Sequence, residues 1–196
     1  METHAITLKS SYLNKMTEEE FFLFCQENKE LKIERSSNQE IIVMAPTGSY
    51  AGSLNNEVSR QLANWNVRYK KGVTFDSSAG FTLPDHSIRS PDASWVMHEK
   101  WDQLTLEEKK RFAPVCPDFV VELKSASDEL KDLQEKMKVW IKNGCRLGWL
   151  IDVEAETVYV YKAGDTAEVT GFNRKLSEEE VLKGFQLDLS LLKRIQ

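Results

Sequence analysis

Histidine and cysteine are too few and too scattered in this sequence to build a zinc centre or a disulfide framework. The three histidines, His4, His86 and His98, show no HxxH or HExxH spacing, whereas a zinc site draws several such ligands from short intervals. Cys25, Cys116 and Cys145 form no CxxC pair; their odd number points to reduced thiols and a cytoplasmic setting. With 9 glycines and 5 prolines in 196 residues, fibrous and disordered classes are excluded. There is no apolar N-terminal run and no stretch of membrane-spanning length, so neither a signal peptide nor a membrane helix is expected. Positive charge is short as well: 26 Lys and Arg against 31 Asp and Glu leave a net charge of -5. Nucleic-acid binders are usually basic, because cations release counterions condensed on phosphates. Any such surface here must therefore be local, or completed by a second subunit.

What remains is ample apolar content, 41%, for one domain spanning residues 1–196, with residues 1–16 as a stretch that could fray. Thr17 and Glu20 form a capping box that starts a helix carrying Phe21, Phe22, Phe24 and Cys25 on its apolar side. Residues 31–34 and 40–44 read as a hairpin turning at Ser36–Gln39. The stretch 46–49 breaks the chain, and Leu54, Val58, Leu62 and Trp65 then mark a helix over 51–70. Strands follow at 73–77, 80–83 and 93–97, the last two separated by a turn at 84–87, then a polar excursion over 99–111 with a short helix after Thr105. The run 118–124 reads as a buried strand. An amphipathic helix over 128–143, closed by Gly144, leads to a second buried strand at 147–152. A hairpin of 157–161 with 167–170 and a strand near 185–189 complete the chain. A strand–helix–strand unit implies a crossover in a mixed sheet, so the expected class is α/β, a mixed central β-sheet flanked by helices.

The strand at 118–124 is where chemistry enters. Side chains alternate along a strand, so Glu122 and Lys124 share one face and the apolar Phe119, Val121 and Leu123 the other. That places a carboxylate and an amine about 7 Å apart on a strand otherwise suited to burial. Buried charge is costly without a partner or a metal. Asp92, opening the strand at 93–97 after Ser90-Pro91, supplies a second carboxylate. If the two strands pair, Asp92 and Glu122 converge on one hard cation such as Mg²⁺ or Mn²⁺, and Lys124 is placed to orient a water or neutralise developing charge. As a bare string, (D/E)-x-K means nothing: it recurs at Glu30/Lys32, Glu107/Lys109, Glu108/Lys110 and Glu129/Lys131, all in polar or helical contexts. Context alone singles out Glu122/Lys124.

Several longer segments carry a resemblance: Met44–Gly48, Asp76–Phe81, Arg89–Val96, Cys116–Ser125, Leu133–Met137 and Asn143–Asp152. Together they resemble the Uma2 family, over residues 31–189. The resemblance implies a restriction-endonuclease-like fold of the PD-(D/E)XK type and a Mg²⁺- or Mn²⁺-dependent endonuclease. It makes Asp92 the motif aspartate and Glu122 and Lys124 the E-x-K pair. Many relatives draw their lysine from the following helix, so Lys136 competes with Lys124. It also suggests Glu57, or its neighbour Asn55, as a metal-assisting residue on the first core helix, and Gln134 beside the cleft. The implied partner is nucleic acid, DNA first; the acidity of the monomer and the need to cut two strands favour a homodimer.

Plainer uses stand beside each assignment. Asp92 could cap a turn, Glu122 and Lys124 could form an ordinary ion pair, and Glu57 could be a solvated helix residue. The basic set Lys131, Lys136, Lys138, Lys142 and Arg146 suits a salt-bridged helix surface, and Trp65, Trp140 and Trp149 fall in core patterns. Two other functions share the same carboxylates: a nucleic-acid-binding module with weak or no turnover, and a small-molecule metal-dependent hydrolase.

Overall fold

Two larger sheets and a two-stranded one, packed by helices, make up the described residues; the computed structural model describes residues 5–44 and 47–195. The expected chain break at Pro46 lies outside these residues. Near the N-terminus β1 (Ile6–Leu8) pairs antiparallel with β3 (Ile41–Met44), and a single 3-10 turn covers Leu13–Lys15. The capping box of Thr17 and Glu20 then starts α1 (Glu18–Glu27). β2 (Lys32–Arg35) pairs with β3 as the expected hairpin, and Gln39 takes the left-handed turn position at φ 65°. These strands, with β5 (Phe81–Thr82) and β6 (Ile88–Arg89), make a five-stranded sheet in the order β1-β3-β2-β6-β5. Phe21 of α1 packs on Ile33, Ile41 and Ile88 of that sheet.

The larger sheet has six strands. β4 (Gly72–Asp76), β7 (Ala93–Met97), β8 (Phe119–Lys124), β9 (Leu147–Asp152), β10 (Thr157–Lys162) and β11 (Glu168–Gly171) lie in the order β11-β10-β9-β8-β7-β4. β8 and β9 are parallel, joined by α5 (Leu130–Lys142), while the other neighbours are antiparallel. Strand alternation divides the two cores. On one face, Phe119, Val121 and Leu123 meet Leu54, Val58 and Leu62 of α2 (Ser49–Tyr69) and the C-terminal Phe185 and Leu189. On the other, Val96, Val120 and Leu150 meet Met137 and Trp140 of α5. The expected mixed sheet flanked by helices is therefore the observed one.

Both long helices end at a residue in the left-handed region. α2 ends with Lys70 in the left-handed region, φ 49°. α5 ends in a Schellman arrangement, with Gly144 at φ 101°, its N–H on the Ile141 carbonyl and the Cys145 N–H on that of Trp140. At the start of β4, Gly72 passes so close to β7 that a Cβ would meet the Val96 carbonyl and the Trp95 indole. Gly72→Ala is expected to cost about 1–3 kcal/mol by overpacking against backbone, measurable as a lower denaturation midpoint with unchanged slope.

Differences from the sequence expectation lie in short elements. β1 occupies part of the stretch expected to fray, held by three residues of pairing. β6 and β12 (Leu176–Ser177) span two residues each, too few to show a period, while β13 (Gln186–Leu187) falls within the strand expected near 185–189. The one-turn helices α3 (His98–Trp101), α4 (Leu106–Lys109) and α6 (Ser190–Lys193) complete the order; of these, only α4 was expected. α5 begins at Leu130 rather than 128 because the Asp128 carboxylate folds back onto the N–H and hydroxyl of Ser125.

Candidate active site

β7 and β8 pair through Ala93↔Val121, Ser94↔Val120 and Trp95↔Phe119. Pro91 has no N–H to extend the ladder, and Asp92 takes over at that point. Its own N–H donates to the Val121 carbonyl (3.0 Å), and its Oδ2 accepts from the Leu123 N–H (2.8 Å). The carboxylate thus accepts the Leu123 N–H just past the end of the β7–β8 ladder, beside Glu122. Its other oxygen, Oδ1, accepts from Asn55 Nδ2 of α2 at 3.1 Å and lies 3.8 Å from Lys32 Nζ of β2.

Glu122 is 2% exposed and faces α5, as alternation requires. Trp140 Nε1 donates to its Oε1 at 2.9 Å, and Lys136 Nζ lies 3.0 and 3.1 Å from its two oxygens. Lys136 and Trp140 stand four residues apart, on one side of the helix. The same ammonium reaches Glu34 Oε1 of β2 at 2.9 Å and the Ser90 carbonyl at 3.1 Å. Glu34 is equally buried; it also accepts from the Ser90 N–H (3.0 Å) and from Arg89 Nη1 (2.9 Å). A chain of alternating charge therefore runs Arg89, Glu34, Lys136, Glu122.

Burial sets the electrostatics of this chain. Removal from water pushes the Glu122 carboxyl up to about 7; Lys136 opposes that shift, while the charges of Asp92 and Glu34 add to it. For Glu34 burial acts in the same sense, but Lys136, Arg89 and Lys32 outweigh it and bring the group down to about 2. Burial opposes charge on Lys136, yet Glu122, Glu34 and Asp92 hold its ammonium well above the usual lysine range. Of the two carboxyls in the chain, Glu122 is thus the one that takes a proton more readily.

The expected residues are not all gathered here. Lys124 shares a face with Glu122, but its Nζ lies 3.8 Å from Asp152 Oδ2 on β9 and 3.5 Å from the Ser125 carbonyl. The lysine on Glu122 is Lys136. Glu57 is bound by Arg60 and Gln61 of its own helix, and Gln61 pairs with the backbone of Asp188. Two positions along a helix is about 200° of rotation, so Asn55 meets Asp92 and Glu57 does not. Gln134 is half-buried on α5 and, among the described residues, makes no hydrogen bond to either carboxylate. Lys138 pairs with Glu135, as the salt-bridged surface predicts, but Lys136 is only 14% exposed and belongs to the interior.

Sequence reasoning missed Glu34, Arg89, Lys32 and the second role of Trp140. Alternation in Lys32-Ile33-Glu34-Arg35 was an available signal: Ile33 faces the α1 core, which sends Lys32 and Glu34 to the other side. Among the described residues no three of His, Cys, Asp and Glu gather into an ion-holding group. Two grooves lined by Phe22, Phe112 and Arg111 contain neither Asp92 nor Glu122. No described helix is long and apolar enough to cross a membrane.

Comparison with known proteins agrees with this architecture. A crystal structure described as "a putative nuclease belonging to DUF820" from Anabaena variabilis ATCC 29413 superimposes with a TM-score of 0.73 at 20% identity, covering 92% of this chain and 98% of that one. That likeness is one of fold. No curated protein matches the sequence. Residues 18–190 match the profile of Uma2, described as "Putative restriction endonuclease", and with nearly the whole chain covered, this protein belongs to the Uma2 family.

Proposed function

We propose that the protein is a metal-dependent endonuclease that hydrolyses DNA phosphodiester bonds. The observation that carries this reading is the placement of Asp92 beside Glu122 at the end of the β7–β8 ladder, each carboxylate oriented by donors from other elements. The donor set fits a hard divalent cation. Both side chains offer oxygen only, and Mg²⁺ or Mn²⁺ is commonly held by one or two carboxylates, with waters and substrate phosphate completing the shell. When bound, such an ion supplies an activated water at neutral pH and neutralises charge on the phosphate.

Asp92 and Glu122 would hold the ion. Asn55 and the Leu123 N–H fix Asp92, and Trp140 and Lys136 fix Glu122. Lys136 also lowers the cost of ionising a carboxyl that burial holds near 7. The excess of acidic residues favours a homodimer, in which the second copy extends the surface available to a duplex and cuts its other strand. The free thiols suit a cytoplasmic enzyme.

Calorimetric titration with Mg²⁺ and Mn²⁺, paired with plasmid nicking, tests the proposal on the wild type, Asp92→Asn and Glu122→Gln. Wild-type binding and nicking are expected, with both lost in each variant and nicking reduced by at least 10²-fold, the scale for losing one preorganised charge-stabilising group. A folded wild type that neither binds metal nor nicks DNA would leave a binding module as the better description.

A further inference from the structure

The lysine closest to the chemistry has no donor left to offer a substrate. An ammonium carries three N–H groups, and those of Lys136 are engaged by Glu34, Glu122 and the Ser90 carbonyl at 2.9–3.1 Å. Lys136 is also almost enclosed. Its contacts suit it to hold Glu122 in place, not to grip an incoming anion. Lys124, with its side chain 18% exposed, donates to the Ser125 carbonyl at 3.5 Å and lies 3.8 Å from Asp152 on β9, across β8 from β7. Arg89 donates Nη1 to Glu34, and its Nε is buried without a partner; with its side chain 13% exposed, the guanidinium faces the interior.

Lys32 differs from all three. Its side chain is 27% exposed, and its Nζ stands 3.8 Å from Asp92 Oδ1, beyond hydrogen-bond length. Among the described residues no acceptor lies within hydrogen-bonding distance of it. Its position follows from β2: Glu34, two residues on, lies on the same face of the strand and enters the buried chain, while Lys32 lies nearer the open end. Its charge reaches inward too, favouring the ionised forms of Glu34 and Glu122. An anion arriving over Asp92 would meet this ammonium first, with its donors free.

We infer that Lys32 is the phosphate-binding lysine of the site, contacting the substrate backbone beside Asp92, while Lys136 serves as a positioning residue. This rests on the nuclease reading and adds a residue to it. A lysine that contacts phosphate releases counterions when the complex forms, so its loss makes log K against log salt shallower by about 1. A lysine that merely supports the fold leaves that slope alone.

The test is the binding of a fluorescein-labelled DNA duplex by anisotropy across a salt series, with Ca²⁺ present to neutralise the carboxylates. Wild type, Lys32→Met and Lys32→Arg are compared, with a thermal melt for each. Methionine keeps the aliphatic stem, and arginine keeps the charge. The inference expects weaker binding and a slope shallower by about 1 for Lys32→Met, and a wild-type slope for Lys32→Arg. Wild-type binding with an unchanged slope in Lys32→Met overturns the role of Lys32 and leaves the nuclease reading standing. A wild type that binds no duplex at any salt overturns both.

Discussion

Replacing Lys136 by methionine is expected to lower folding stability by about 3–5 kcal/mol, the scale for removing one partner of a buried ion pair. Glu34 and Glu122 would be left facing each other in a dry interior, with Arg89 as the remaining close cation of the chain. Lys124→Met is expected to cost no more than about 1 kcal/mol, since its pairing with Asp152 is loose at 3.8 Å. Urea denaturation of the two variants reads the difference directly. Equal losses would mean that the ammonium of Lys136 is not the counterion of this network. Nicking activity should separate them in the same order, because only Lys136 fixes a site carboxylate.

Glu122→Gln is expected to change how stability depends on pH. The folded carboxyl titrates near 7, above its ordinary value of 4.5. Between those values the unfolded chain releases the proton while the folded one keeps it, so folding weakens as pH rises. The stability linked to the protonated group is fully present below about pH 4.5 and lost as pH passes through 7. At 1.36 kcal/mol per unit, the swing is roughly 3 kcal/mol. The glutamine variant lacks this titration, so its stability relative to wild type should rise by that amount from pH 5 to pH 8. Glu34 does not blur the comparison, since its carboxyl is held down near 2 and titrates below the window. A stability difference between variant and wild type that stays constant across the window would show that Glu122 is ionised throughout. Added Mg²⁺ at pH 8 should stabilise the wild type and not the variant.

The parts of this protein that were readable in advance are those whose signal repeats. Leu54, Val58, Leu62 and Trp65 placed α2 to within two residues of its start, and Thr17 with Glu20 placed the start of α1. Strand alternation correctly separated Glu122 from Phe119, Val121 and Leu123, which now lie in opposite cores. What alternation could not supply was reach. Lys124 and Lys136 both stood as partners for Glu122, and only the packing of α5 on β8 sends one of them to Asp152 and the other inward. Glu34 was invisible for a related reason. Its partners, Arg89 and Lys136, lie 55 and 102 positions away in sequence, and it came from a hairpin expected to be ordinary. Trp140 was correctly expected in the core, but nothing in its spacing announced that its indole N–H would find a carboxylate.

The alternating chain of charge also joins the two sheets. Glu34 and Arg89 belong to the five-stranded sheet, Glu122 to the six-stranded one, and Lys136 comes from the helix between β8 and β9. The same four side chains that surround the candidate site therefore join the two sheets. On the proposed nuclease reading, this constrains how a lineage could lose catalysis and survive. A relative drifting toward a pure binding role cannot discard Lys136 or Glu34 one at a time, because each single loss strands a buried charge. Such a lineage would have to exchange the group together for apolar residues of matching volume, a coupled change, or retain the buried charges long after any cutting had ceased.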